Sequence, residues 1–306
     1  MSYQLLRSAL IATLLSAPYP LAAQTAATLS EQFIEMTAVT GYEQTAAEQL
    51  LAMLPGTTLD RAGNVVGVLG TGTPVRLLVC PLDEVGYVVG RITDDGYLRL
   101  RRVGVGKPNL FDQGLEGHRV TVWGAAKTTP GVVSIPSTHL GRGRSSIPDR
   151  PFNVDDAYVD IGVDSAKEGQ QLGIRLLDAV ALAKRPHRYG KNLLAGPEAG
   201  RRAGCAALAR TYLDQPDVDG TVVIAFVVES QLRHAGLRVL SRQLGPFAST
   251  WFINYEPPER IIDERFGAIK HSDVPVQFSE TAVETINLED VETLTTQISA
   301  GLKKHP

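Results

Sequence analysis

Val75-Arg-Leu-Leu-Val-Cys80-Pro81-Leu-Asp83-Glu84-Val-Gly86-Tyr-Val-Val-Gly-Arg91 is the stretch on which the fold turns. The apolar run from Leu77 to Cys80 predicts a buried strand, ended at Pro81, whose nitrogen cannot donate to a sheet ladder. Asp83 and Glu84 follow, and a second apolar strand is expected from Val85 to Val89. Acidic side chains at the point where a buried strand runs out are a common seat of chemistry in an open α/β sheet. A capped loop with two solvated carboxylates would give the same local pattern.

The rest of the chain frames that stretch. With 306 residues, 43% hydrophobic and 21% charged, it has an ordinary globular composition, long enough for one large domain or two smaller ones. A net charge of −3 with no basic block argues against a nucleic-acid footprint. No apolar run is long enough to span a bilayer.

Residues 1–23 read as a signal peptide. Arg7 supplies the positive region, Ser8 to Ala17 the short apolar core, Pro18 to Pro20 the break, and cleavage is expected after Ala23. A buried N-terminal helix is the competing expectation. Export to the periplasm or outside the cell implies an oxidising compartment, but the chain holds only Cys80 and Cys205. One internal disulfide is conceivable; two buried free thiols are the expectation.

Downstream, Thr28 to Glu31 and Thr40 to Glu43 both fit a capping box, the second opening a helix that carries Ala46, Leu50, Leu51 and Leu54 inward. Asp60 to Asn64 is a turn into a strand at Val65 to Leu69, and Gly70-Thr71-Gly72 is expected to be a hairpin turn. Thr93 to Gly96 joins strands Tyr87–Ile92 and Tyr97–Val103, and Gly104 and Gly106 beside Lys107 are read as the turn that follows. Residues 115–183 switch to short strands (Arg119–Trp123, Val132–Ile135, Ala157–Ile161) with a capped helix at Ser165–Gln171, the pattern of a small barrel or sandwich. Residues 141–151 read as an exposed loop. The α/β pattern then resumes: helix Glu198–Leu213, strand Thr221–Val228, helix Leu232–Leu244, strand Thr250–Tyr255 and helix Asn287–Leu302.

Leu77 to Tyr87 resembles the first active-site segment of the tetrahedral-type glutamyl (deblocking) aminopeptidases, two-metal exopeptidases in which a strand ends in His-x-Asp-Glu-Val-Gly-Phe. Met36 to Glu43, Asp60 to Asn64, Pro130 to Val133, Ser137 to Leu140 (with His139) and Asp155 to Gly162 resemble further family segments in the same order. The resemblance implies an open mixed α/β sheet flanked by helices, zinc-exopeptidase-like, made from residues 24–114 and 184–306. A small β-barrel domain of the dimerisation type is inserted at 115–183.

It also implies where two divalent metals, zinc or cobalt, should be held, and there this chain departs. Pro81 stands for the first metal-binding histidine, and Asp83, that histidine's orienting partner, is left behind. Gly200 stands for the bridging aspartate, with Arg201 placing a cation beside it. Glu229-Ser230-Gln231 stands for Gln-Glu-Glu, so both acids are lost in register; a slip of one residue restores Glu229 as a base. Asn254 stands for an aspartate ligand and Glu280 for the last histidine. The stretch 256–275 is also much shorter than its family counterpart. No metal cofactor is therefore expected.

The implied function is that of a catalytically degenerate relative that binds peptides or a protein partner. Glu229 and Glu84 are the candidate catalytic residues, and Asp83, Asn254 and Glu280 line the former cleft. Two alternatives stand beside it. One is an active aminopeptidase with an improvised metal site built from Asp83, Glu84, Glu229 and Glu280. The other is an oligomeric scaffold, since the inserted domain mediates dimer contacts in the family, which implies a homo-oligomer.

Overall fold

A computed structural model describes residues 24–104, 109–125, 127–135, 151–183 and 185–303. The expected signal peptide, the Ser137 to Leu140 segment, most of the 141–151 loop and the turn at Gly106 and Lys107 lie outside the described residues.

Helices α1 (Ala26–Glu35) and α2 (Gln44–Met53) precede strands β1 (Thr58–Leu59), β2 (Val65–Gly70) and β3 (Val75–Pro81). The chain then runs through β4 (Gly86–Ile92), β5 (Leu98–Val103), β6 (Arg119–Trp123), β7 (Thr128–Ser134), β8 (Tyr158–Asp160), α3 (Ala166–Gln171) and β9 (Ala179–Leu182). After β10 (His187–Tyr189) and β11 (Leu193–Ala195) come α4 (Ala199–Asp214), β12 (Thr221–Val227), α5 (Ala235–Leu244) and β13 (Ser249–Ile253). Strands β14 (Ala268–Ser272) and β15 (Thr285–Asn287) lead into α6 (Leu288–Leu302).

The main sheet has the order β1-β2-β12-β3-β13-β14. Pairs β12/β3, β3/β13 and β13/β14 are parallel, whereas β1/β2 and β2/β12 are antiparallel. Strand β12 shows why this sheet forms. Its side chains alternate between two cores, as the two-residue period of a strand requires. Val222, Ile224 and Phe226 pack with α1, α4 and α6, while Val223, Ala225 and Val227 pack with Leu237 and Leu240 of α5. A strand covered on both faces needs apolar residues throughout, hence the unbroken run in the sequence.

Strands β4-β5-β8-β7-β6-β9 close into a barrel with its own core, including Val89, Leu100, Val122 and Val180. The barrel thus reaches back to Gly86, ahead of the expected start at 115, because closure recruits the β4/β5 hairpin.

Four further expectations are corrected. Gly70 to Gly72 does not join a hairpin: β12 lies between β2 and β3, and the turn is held from across the sheet by the Thr221 hydroxyl on the Gly72 carbonyl at 2.8 Å. Thr28 is inside α1, whose N-cap is Thr25, accepting from the Thr28 amide at 3.1 Å. Thr40 does not cap α2; its amide donates to the Glu84 carbonyl at 2.9 Å, and the helix starts after Glu43 without a side-chain cap. The cysteines are not free thiols. Cys80 in β3 and Cys205 in α4 form a disulfide across 125 residues of sequence, with Cα atoms 5.5 Å apart. The sheet and the helix laid on it bring together two residues that no local pattern connects.

Several ends also move by a few residues. Helix α5 begins at Ala235 rather than Leu232 because Arg233 and His234 take left-handed backbone angles. Pro81 remains within β3, pairing with Val227, and the ladder continues through the Leu82 amide on the Val227 carbonyl at 2.7 Å.

A crest of buried charge at the strand ends

The C-terminal ends of β3, β12 and β13 lie side by side, as parallel pairing dictates, and the residues just past them form a crest. Asp83 and Glu84 are not solvated: they are 1% and 3% exposed. Buried carboxylates need partners, and each finds a different set. Asp83 Oδ2 accepts from the Gln231 amide at 3.0 Å. Glu84 Oε1 accepts from the Ala38 amide at 3.0 Å, and its Oε2 lies 3.2 Å from Nη2 of Arg202, which is 1% exposed. Arg202 also donates from Nη1 to the Leu82 carbonyl at 2.6 Å. This buried pair fastens the first turn of α4 to the loop after β3.

Arg201 points to the other side. Its Nη1 lies 3.4 Å from the Asp83 carbonyl and 3.3 Å from the Ser230 hydroxyl, and its Nε is 3.5 Å from Glu198. A guanidinium therefore stands among the ends of β3, β12 and α4. His234 Nδ1 and the Tyr255 hydroxyl share a hydrogen bond of 2.8 Å beside it. Burial holds the imidazole below its usual value and the phenol well above its own; Asp83 pushes both up, opposing burial at the histidine.

Of the remaining sequence candidates, Glu280 lines the same cleft as Arg201, Ser230, Gln231 and His234, a space of about 900 Å³. Its amide donates to Glu284 Oε1 at 2.7 Å. Glu229 lines a separate groove of about 560 Å³ with Tyr42, Glu43 and Trp123. The structure thus does not bring Glu229 into one cavity with Glu280. Asn254 is committed elsewhere: its Oδ1 accepts from the Val274 amide at 3.1 Å, and α4 packs so closely that a Cβ on Gly204 would sit 2.5 Å from that oxygen.

Glu43 is the residue that sequence reasoning missed as part of the site. Read as a helix cap, it is instead a buried acid whose Oε1 accepts from the Glu229 amide at 2.8 Å. Burial pushes its carboxyl up to about 7, against the pull of that amide and with help from Asp83. Its place in the Met36 to Glu43 segment was the available signal.

Non-glycine residues in the left-handed region ring the crest: Glu198, Glu229, His234, Asn254 and Glu280, with φ of 55°, 53°, 55°, 45° and 61°. Such angles disfavour L-residues and persist where the surrounding structure dictates them. Among the described residues no three His, Cys, Asp or Glu side chains converge on a point where an ion could be held.

An open mixed sheet with acids at its strand ends, interrupted after β3 by a closed barrel, is an exopeptidase-type architecture. Residues 63–248 match the family described as M42 glutamyl aminopeptidase, and the chain belongs to it. It is 23% identical over 286 residues to the Escherichia coli protein FrvX, covering 82% of this chain and 79% of that one. It is 23% identical over 223 residues to the lysyl aminopeptidase of Pyrococcus furiosus, covering 71% and 63%. In fold it is similar to the Pyrococcus horikoshii TET1 peptidase, with a TM-score of 0.75, 22% identity, and 92% and 100% of the two chains covered.

Proposed function

We propose that this member of the family has lost catalysis and uses the old cleft to bind peptides or a protein partner. One observation carries the reading: the Arg201 guanidinium, bonded to the Ser230 hydroxyl and the Asp83 carbonyl, stands at the crest where the resemblance locates a two-metal centre. A fixed cation there opposes a dication electrostatically. Pro81 and Gly200 offer no side-chain donor, and the Asn254 amide is engaged by Val274. The left-handed angles around the crest support descent from a site whose backbone was shaped for chemistry.

The barrel supports self-association, as does the likeness to a TET1 peptidase described as assembling into a tetrahedron or a large octahedral shell. The composition of residues 1–23 and the Cys80–Cys205 disulfide support export to an oxidising compartment.

The test is metal content. After incubation with zinc, cobalt or manganese and gel filtration, the purified protein is expected to retain substoichiometric metal and to release no label from a panel of aminoacyl substrates. Two tightly held equivalents, or turnover that depends on added metal, would overturn the proposal.

A further inference from the structure

The cleft beside Arg201 carries a charge imbalance that the loss of a metal site does not account for. Six arginines line it (Arg201, Arg233, Arg238, Arg242, Arg260 and Arg265), against three carboxylates, Glu256, Asp263 and Glu280. Arg265 is paired with Asp263, and Arg201 with Glu198. The guanidiniums of Arg233, Arg238, Arg242 and Arg260 have no carboxylate partner among the described residues.

This is not general basicity, since the chain as a whole carries a net charge of −3. It is also arranged at a cost. Arg238 and Arg242 are four residues apart on α5, a spacing at which like charges repel. Arg260 and Arg265, from the segment between β13 and β14, line the same cleft. No lysine among the described residues lines the cleft. A guanidinium presents a planar fork that matches a carboxylate through two parallel hydrogen bonds, which an ammonium cannot do. The volume, about 900 Å³, accommodates several residues of extended peptide rather than one small anion.

Building on the peptide-binding reading, we infer that the cleft recognises an acidic peptide segment, one that presents several carboxylates along its length to the arginines of α5 and the 259–266 segment. A single acidic side chain would engage one or two forks and leave the others unpaired.

Fluorescence anisotropy with the full-length protein tests this. The probes are a dye-labelled hexapeptide with three glutamates, its glutamine counterpart, and a version with one glutamate at its N-terminus; inorganic phosphate and citrate serve as competitors. The three-glutamate peptide is expected to bind at least about tenfold more tightly than the other two at low salt. That preference should shrink as ionic strength rises. The variant Arg238→Gln/Arg242→Gln, with both positions exposed and a circular dichroism spectrum as the check on folding, should lose the preference. Arg238→Lys/Arg242→Lys should retain only part of it.

Equal affinity for the glutamate and glutamine peptides would overturn the charge inference and leave peptide binding standing. Equal affinity for the one- and three-glutamate peptides would overturn the multi-carboxylate recognition. Binding of citrate or phosphate without the acidic peptide would overturn the peptide as ligand, and no binding of any peptide would remove both readings.

Discussion

At the scale of single residues the crest is held by two buried acids in different electrostatic states. Glu84 is matched by Arg202, and breaking such a pair from one side leaves an uncompensated buried charge, which costs about 3–5 kcal/mol. Arg202→Met is therefore expected to lower unfolding stability by that order in urea titrations, and Glu84→Gln added to it should recover a substantial part. A single variant as stable as the wild type would show that the pair is not desolvated. Glu43 is in the opposite situation. Its folded pKa of about 7 lies above its ordinary value of 4.5, so it favours the folded state fully below about 4.5 and loses that contribution as pH rises through about 7. Between pH 5 and pH 8 the wild type should lose more stability than Glu43→Gln, read from denaturant midpoints. Parallel pH profiles would mean the carboxyl is hydrated. Neither role was visible locally. The sequence shows the acids but not their partners, because Arg202 lies 118 residues beyond Glu84 and the Glu229 amide 186 beyond Glu43.

At the scale of elements, the strands and helices of the main sheet were legible because each is strongly patterned. Strand β12 is apolar from Val222 to Val227 because both its faces are covered, and α6 repeats Leu288, Val291, Leu294 and Ile298 on one buried side. What failed were local signals overridden by distant backbone groups. Thr40 fits a cap, but its amide is taken by Glu84; Gly70 to Gly72 fits a hairpin, but β12 inserts between the strands it joins. The disulfide belongs to this scale as well, since it fastens α4, with Arg201 and Arg202, to the strand that ends at Pro81, two residues before Asp83. A bridge closing 125 residues restricts the unfolded chain by roughly 4–5 kcal/mol on a chain-entropy estimate. Cys80→Ala/Cys205→Ala is expected to fold with a clearly lower denaturant midpoint, and reducing agent should move the wild type toward it. A midpoint unaffected by both would show that the bridge does not form.

For the whole molecule, a barrel interrupting a sheet domain gives each chain a second core, and the proposed self-association can be tested directly. Multi-angle light scattering is expected to give a mass several-fold above that of one chain, and a monomer at all concentrations would overturn the oligomer proposal. By itself the sequence determined the class of fold and the order of its main helices and strands, because hydrophobic periodicity is a local property. Only the tertiary structure decided that Cys80 meets Cys205, that Arg202 neutralises Glu84, and that arginines from α5 and the 259–266 segment share one cleft with Arg201. Those are contacts between groups far apart in the chain, and they arise only when parallel strands bring their ends to one edge.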